Sequence, residues 1–364
     1  MNASVSSPSF GQSVWLVTER ELGSKLRAKS FLISTAVMFA LVLAAVLWAG
    51  FAAQSDSRTP LAVTPETASA VEGLDGFDVT DAADAEEARE LVRSGDVDAA
   101  IVPGGADPLG FTVVFEDAPS TTLLQALSIA PEVEILEPEG TDGFLRYIIA
   151  IAFGGVFFAA AFTFGTTIAT SVVEEKQTRV VELLISAIPT RALLAGKVLG
   201  NTILAMGQIV GIAAIATVGL TVTGQEFLLA GLGGPIAWFA VFFLFGFVLL
   251  AALFAAAGAM VSRQEDIGAT ITPLTYLVMA PYFLVIFFND NPVVLTIMSY
   301  VPFSAPVGMP VRIFVGEAQW WEPLLALVVM LVTCVAAILV GAKIYENSLL
   351  RMGARVKLAE ALKR

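Results

Sequence analysis

The sequence predicts a polytopic α-helical membrane protein with six transmembrane helices and an extracellular α/β domain between the first and the second. The chain has 364 residues, of which 57% are hydrophobic and 15% are charged, whereas soluble domains are about 45–50% apolar and about 25% charged. Several apolar runs reach the roughly 20 residues that a bilayer-spanning helix needs. The net charge of −13 is concentrated in residues 54–143, which hold 20 acidic and 3 basic residues. A membrane protein with one water-exposed acidic domain accounts for the composition, the apolar runs and the local negative charge.

The N-terminal residues 1–29 are predicted to form a cytoplasmic tail and an amphipathic helix on the membrane surface. Its apolar side chains face the bilayer and its basic ones meet lipid headgroups. Residues 30–52 form the first transmembrane helix. A cleaved signal peptide is the alternative, but this apolar run is longer than the usual 7–15 residues and the charged region before it is long. The sequence therefore favours a retained membrane anchor.

The acidic stretch, residues 53–143, is predicted to be the extracellular α/β domain because strand-like runs alternate with helical ones. One helix is marked by Asp84 as its N-cap, by Glu87 three residues later and by Gly95 just beyond its end. A second helix is expected over residues 121–130. No calcium-binding loop motif is present, so the carboxylates are interpreted as a solvated surface. The strand-like runs are residues 61–63, 99–102 and 111–115.

Residues 144–345 are predicted to form a membrane domain, and residues 346–364 a cytoplasmic tail. Before the last span, segment 292–321 is too apolar for a surface loop, and its prolines interrupt any span. A re-entrant or interfacial hairpin on the extracellular side, anchored by Trp320 and Trp321, fits it. The five predicted spans are residues 144–172, 196–222, 235–261, 267–288 and 323–344.

The orientation follows from the basic residues. If both termini are cytoplasmic, fifteen Lys and Arg residues lie in the inner segments and five lie in the outer ones. This bias is typical of cytoplasmic loops. We therefore predict a multi-pass protein of the cell membrane, in contact with the lipid bilayer, with both termini in the cytoplasm and the acidic domain outside.

The cytoplasmic segment 174–188 is predicted to be a single amphipathic helix that Pro189 terminates. Glu175 precedes Arg179 by four residues, which predicts an ion pair on the helix surface. Two interpretations remain open, a surface on which another protein docks and a solvated connector between two spans. The predicted polar stripe consists of Glu175, Thr178, Arg179, Glu182 and Ser186.

No catalytic motif is apparent. The chain has one cysteine, Cys334, so a disulfide within one chain is excluded. It has no histidine, which excludes the commonest metal ligand. Gly196 and Lys197 are followed by valine, so the phosphate-binding loop of ATPases is missing and no cofactor is expected on this chain. We expect the hydroxyl and amide groups within the spans to form hydrogen bonds between helices more often than to line a substrate path. Nothing in the sequence predicts a nucleic-acid partner.

Residues 174–184, EEKQTRVVELL, resemble the cytoplasmic motif E-E-K-E/Q-x-x-x-x-E-x-L-L of type-2 ABC exporter permeases. The match continues through Ile188-Pro189-Thr190 and through a G-K-x-x-G segment at residues 196–200. The opening residues 19–29 are similar to the first helix of that family. A large insert after the first span resembles the NatB-like branch, which contains a sodium-extruding permease.

This resemblance implies a six-span half that pairs with a second permease half, in a homo- or heterodimer, and with cytoplasmic ABC ATPase subunits that bind ATP. Segment 301–316 would then cap the exit. The exported substrate could be sodium, a drug, a peptide or a glycan precursor, although no carboxylate is available within the spans to coordinate sodium. A membrane-anchored sensor or assembly scaffold is the alternative function, and an intramembrane enzyme is disfavoured. The implied ATPase-coupling residues are Glu174, Glu175, Lys176, Arg179, Glu182 and Lys197.

Overall fold

A computed structural model describes residues 8–54, 59–71, 77–104, 111–115, 143–351, 356 and 358–362. The chain divides into two compact units. The larger unit, which we call the membrane unit, consists of residues 1–50 and 139–364, and the smaller one, the insert unit, consists of residues 51–138.

The membrane unit is helical in its described part. Six of its helices are long and apolar enough to cross a bilayer, which confirms the predicted number of spans for the described residues. The helices are α1 (Phe10–Leu26), α2 (Lys29–Gln54), α4 (Gly143–Gln177), α5 (Val180–Ala187), α6 (Thr190–Val222), α7 (Glu226–Ala259), α8 (Ile267–Phe287), α9 (Pro292–Tyr300), α10 (Ala305–Val315), α11 (Glu322–Leu349) and α12 (Leu358–Leu362), while α3 (Ala85–Ser94) belongs to the insert unit. The six candidate spans are α2, α4, α6, α7, α8 and α11.

Four spans extend well beyond their predicted bounds. Helix α4 continues to Gln177, α6 already begins at Thr190, α7 begins at Glu226, and α11 continues to Leu349. The added residues include glutamate, lysine and arginine, which are good helix formers but lower the mean hydropathy. Hydropathy therefore marks the apolar part of each helix and misses its charged ends.

Helix α7 lies at the centre of the membrane unit, and two-thirds of its most apolar stretch is buried. Its Gly258 lies against the backbone of α4, where an added Cβ would be 2.7 Å from the carbonyl oxygen of Ala169. Gly341 of α11 likewise leaves room for the Ala252 carbonyl of α7, 3.1 Å from an ideal Cβ. Small residues permit such close helix contacts in lipid.

The predicted hairpin segment contains two helices, α9 and α10, which pack against each other. Asn291 begins α9, because its side-chain oxygen accepts hydrogen bonds from the backbone N–H groups of the next turn. Arg312 of α10 forms a buried ion pair of 2.8 Å with Glu322 at the start of α11. The hairpin is thus fixed to the last span by charge, and its depth in a bilayer stays a prediction.

The insert unit contains a four-stranded sheet with the order β2-β1-β3-β4, formed by β1 (Thr59–Val63), β2 (Phe77–Asp81), β3 (Ala99–Pro103) and β4 (Phe111–Phe115). Strand β1 pairs in parallel with β2 and β3, and β4 is antiparallel to β3. Helix α3 packs on this sheet. The three strand-like runs are confirmed as strands, whereas the edge strand β2 was not predicted. The predicted helix over residues 121–130 lies outside the described residues.

Helix α3 begins and ends where its capping residues predict. The Asp84 carboxylate accepts hydrogen bonds from the N–H groups of Glu87 and Glu86, which lowers the pKa of Asp84 below its ordinary value. Gly95 ends the helix in the left-handed conformation, with φ of 76°. The extracellular location of the insert unit stays a prediction.

Candidate functional site

The prediction of one continuous helix over residues 174–188 is wrong. Helix α4 ends at Gln177, and Arg179 adopts a left-handed conformation with φ of 56° before α5 begins at Val180. A left-handed residue cannot continue a right-handed helix, and no glycine or proline marks the position in the sequence. The predicted polar stripe is therefore divided between two helices. Glu174, Glu175 and Lys176 belong to the end of a transmembrane helix.

Lys197 is the centre of a buried cluster of charges. Its Nζ lies 2.8 Å from Glu21 Oε1, 2.9 Å from Glu175 Oε1 and 2.8 Å from Ser171 Oγ. Its side chain is 1% exposed. An ammonium group has three N–H donors, and each of them has an acceptor here. The lysine thereby joins three helices, α1 through Glu21, α4 through Glu175 and Ser171, and its own helix α6.

Arg20 adds a second cation to this cluster. Its Nη2 donates hydrogen bonds to Oε1 of Glu21, at 3.2 Å, and to Oε1 of Glu175. Burial raises the pKa of Glu21, but Lys197 and Arg20 lower it by more, so the net pKa is below the ordinary 4.5. We call Arg20, Glu21, Ser171, Glu175 and Lys197 the charge cluster.

The predicted ion pair between Glu175 and Arg179 does not form. Glu175 pairs with Arg20 and Lys197 instead, and Arg179 makes no ion pair with any residue that the structure describes. The physical reason is the break after α4, which removes Arg179 from the helical position four residues beyond Glu175.

Two glycines of α6 allow α1 to approach the charge cluster. An added Cβ on Gly196 would lie 2.5 Å from Val17 Cβ, and one on Gly200 would lie 2.9 Å from Glu21 Cβ. Because Cβ contacts shorter than 3.0 Å are essentially never seen, neither position can hold a side chain without a shift of α1. The G-K-x-x-G segment therefore has a structural explanation, since its glycines make room for α1 and its lysine neutralises Glu21.

Lys176 is also buried, at 0% exposure. Its Nζ donates hydrogen bonds to the carbonyl oxygens of Ala259, at 2.7 Å, and Ser348, at 2.9 Å. These carbonyls belong to the C-terminal ends of α7 and α11, which carry partial negative charge. Lys176 thus joins the ends of three spans. Neither Lys176 nor Lys197 is exposed, and their assignment as ATPase-coupling residues stays a prediction.

The exposed part of the motif lies on and beside α5. Leu183 is 73% exposed and Val180 is 38% exposed, and the polar residues Glu174, Arg179 and Glu182 are exposed as well. The two apolar residues are not among the predicted coupling residues, although the apolar face of a short amphipathic helix can dock into a groove of a partner. We call Glu174, Arg179, Val180, Glu182 and Leu183 the α5 surface.

The α5 surface rests on a rigid base. Glu174 Oε1 accepts a hydrogen bond of 3.1 Å from Gln264 Nε2, and Gln177 Nε2 donates one of 3.3 Å to the Ser262 carbonyl. Val181 of α5 is 0% exposed and anchors the short helix in the core of the membrane unit. The chain therefore presents a short, exposed helix on a well-fixed support.

Most hydroxyl and amide groups within the spans bond to their own helix, so the prediction of interhelical hydrogen bonds is wrong for them. Thr167 Oγ1, for example, donates to the Thr163 carbonyl at 2.6 Å, and Asn201 Nδ2 donates to the Lys197 carbonyl at 2.8 Å. Hydroxyls of α2 and α4 instead line a cleft of about 700 Å³ that leads to the charge cluster. Within the described residues, no group of three or more Asp, Glu, Cys or His side chains could hold a metal ion.

Comparisons with known proteins agree with this architecture. The family model described as ABC-2 family transporter protein matches residues 29–343. The uncharacterized protein YhaP of Bacillus subtilis is 30% identical over 210 residues, which are 54% of this chain and 50% of YhaP. The uncharacterized protein MJ1024 of Methanocaldococcus jannaschii is 26% identical over 225 residues, 61% of this chain and 55% of that protein. The chain thus spans about half the length of the curated relatives it matches, and no solved structure matches it. Since the family model covers most of the sequence, the chain belongs to the ABC-2 family of transporter proteins.

Proposed function

We propose that this chain is the permease subunit of an ABC exporter and that a separate cytoplasmic ATPase subunit docks on the α5 surface. The observation that carries the proposal is the exposure of Leu183 and Val180 on a helix whose opposite side, at Val181, is fully buried. An exposed leucine next to the charged residues Arg179 and Glu182 combines an apolar contact with a polar rim, as in protein interfaces. The phosphate-binding loop is absent from the sequence, so ATP would bind on the partner.

The connections of α5 explain how a push by the ATPase would reach the spans. Helix α5 is joined to α4 through residues 178–179 and to α6 through residues 188–189. The charge cluster then links α4 and α6 to α1. A displacement of α5 would therefore move α1, α4 and α6 together, because breaking their shared buried ion pairs would cost several kcal/mol.

The proposed substrate class follows from the NatB-like resemblance, and it is sodium, a drug or a peptide. The hydroxyls of Ser30, Ser34, Thr163 and Thr167 in the cleft beside the charge cluster are oxygen ligands or hydrogen-bond partners for such a substrate. A second permease half would complete the pathway in a dimer, with both termini in the cytoplasm.

The docking proposal is tested by the double variant Glu182→Lys/Leu183→Asp. Both side chains are exposed, so the variant should fold. Its control is Glu66→Lys, a charge reversal at an exposed position of the insert unit. We expect an ATPase encoded by a neighbouring gene to co-purify with the wild type and with the control, and to be lost from the double variant together with coupled ATP hydrolysis.

Two results would contradict the proposal. If the double variant retained both the ATPase and coupled hydrolysis, the α5 surface would not be the docking site. If no ATPase co-purified with the wild type while the acidic insert unit bound a ligand, the chain would be a sensor or scaffold.

A further inference from the structure

A second cavity lies away from the charge cluster, on the outside of the membrane unit between α6, α7 and α11. Its volume is about 670 Å³, within the range of small-molecule sites. Phe10 of α1 contributes to one wall. The apolar part of the lining includes Leu194, Val198, Leu199, Ile338 and Leu339. We call this cavity the lateral groove.

The charged side chains of the lateral groove are Arg191, Lys343 and Glu346. Arg191 Nε lies 2.7 Å from Glu346 Oε1, and Arg191 Nη2 lies 3.3 Å from Glu346 Oε2, so these two charges compensate each other. Lys343 is exposed and forms no ion pair within the part of the chain that the structure describes. The groove therefore combines an apolar lining with one uncompensated positive charge.

We infer that the lateral groove binds an anionic phospholipid, with an acyl chain against the apolar lining and the phosphate group at Lys343. The three helices that form the groove are all long and apolar enough to span the bilayer, so the molecules that reach it are those of the membrane. Lys343 and Arg191 lie near the ends of α11 and α6 that are predicted to face the cytoplasm, where the membrane surface carries anionic lipids. The charge of the groove thus complements such a headgroup.

A second copy of this chain fits the lateral groove less well. To match the charge of Lys343, a second copy would have to present an apolar ridge next to a free carboxylate. The carboxylate of this region, Glu346, is already paired with Arg191. A bound lipid would bridge α6, which directly follows α5, to the last span α11. The headgroup site would therefore make the position of α6, which moves with the α5 surface, depend on the lipid composition. This consequence rests on the proposed function, whereas lipid binding itself does not.

The test uses the full-length protein in nanodiscs of phosphatidylcholine with or without phosphatidylglycerol, and in detergent for native mass spectrometry. We expect the wild type to retain phosphatidylglycerol in preference to phosphatidylcholine. The variant Lys343→Gln should retain about fivefold less of it, which corresponds to the loss of one basic group near an anionic membrane surface. The control Arg263→Gln removes an exposed cation that is paired with Glu265 on the loop between α7 and α8, outside the lateral groove, and should behave as the wild type.

A second variant, Ala342→Trp, fills the lateral groove without changing its charge. It should lose bound lipid while its helical content, measured by circular dichroism, stays that of the wild type. The inference is overturned if Lys343→Gln and Arg263→Gln lose the same amount of lipid, if phosphatidylcholine binds as well as phosphatidylglycerol, or if the variant Leu339→Cys crosslinks to a second copy of the chain.

Discussion

Replacing Lys197 with methionine should destabilise the membrane unit by about 3 kcal/mol, because a buried ion pair that loses one partner typically costs about 3–5 kcal/mol. The lysine Nζ makes three contacts of 2.8–2.9 Å and is shielded from water. Methionine fills nearly the same volume, so the loss is mainly electrostatic. We take the low end of the range because Arg20, whose side chain is 39% exposed, still offsets part of the charge of Glu21 and Glu175.

The assay is equilibrium unfolding in detergent micelles, followed by tryptophan fluorescence. The matched control is the triple variant Glu21→Gln/Glu175→Gln/Lys197→Met. It removes all the buried charges of the charge cluster and leaves only Arg20, whose side chain is 39% exposed. This variant should recover most of the lost stability. If instead the single variant Lys197→Met unfolds at the wild-type denaturant concentration, the charge cluster does not hold α1, α4 and α6 together.

The pH dependence gives an independent readout of the same cluster. In the wild type the folded-state pKa of Glu21 is below 4.5, so its contribution to stability is present above pH 4.5 and is lost as the pH falls through the folded-state pKa. In Lys197→Met, Arg20 alone does not outweigh the effect of burial, so the folded-state pKa of Glu21 should rise above 4.5. The deficit of the variant should then be largest near pH 7 and should shrink as the pH approaches 4.5. A deficit that is constant over this range would refute the electrostatic explanation.

Three further predictions concern other contacts. Gly196→Ala should destabilise the fold by about 1–3 kcal/mol through overpacking against α1, whereas Gly207→Ala, with open space around its Cβ on the same helix, should be neutral or stabilising in the same unfolding assay. Arg312→Met and Glu322→Gln should each cost about 3–5 kcal/mol, and the double variant should cost less than either, which a double-mutant cycle would measure. Asp84→Ala should remove the N-cap of α3 at a cost of about 1 kcal/mol, seen as faster amide hydrogen exchange in that helix.

The sequence carries enough information for the spans and for several local elements. A span depends on the composition of one continuous segment, so hydropathy alone finds it. Helix α3 is equally local, because Asp84 and Gly95 satisfy the backbone groups at its own two ends. The edge strand β2 was missed because four of its five residues are exposed, and acidic residues interrupt its apolar pattern.

The charge cluster could not be predicted in the same way. Glu21 and Lys197 are 176 residues apart, and only the packing of α1 against α6 brings them together. A signal was present in the two glycines at positions 196 and 200, since small residues four apart on an apolar helix indicate a close helix contact. The signal does not identify the partner helix, so it could not select Glu21.

The charged motif at the end of α4 shows why a run of charges is a poor guide to an exposed surface. Consecutive residues of a helix point about 100° apart, so Glu174, Glu175 and Lys176 face three different environments. Glu174 is exposed, Glu175 belongs to the charge cluster, and Lys176 binds the carbonyl ends of two other spans. Two of these three charges therefore lie in buried contacts within the membrane unit, which leaves the α5 surface as the proposed docking site. Charge reversal at Glu175 would consequently test folding, whereas changes at Glu182 and Leu183 test the proposed docking, because both side chains are exposed and neither belongs to the charge cluster.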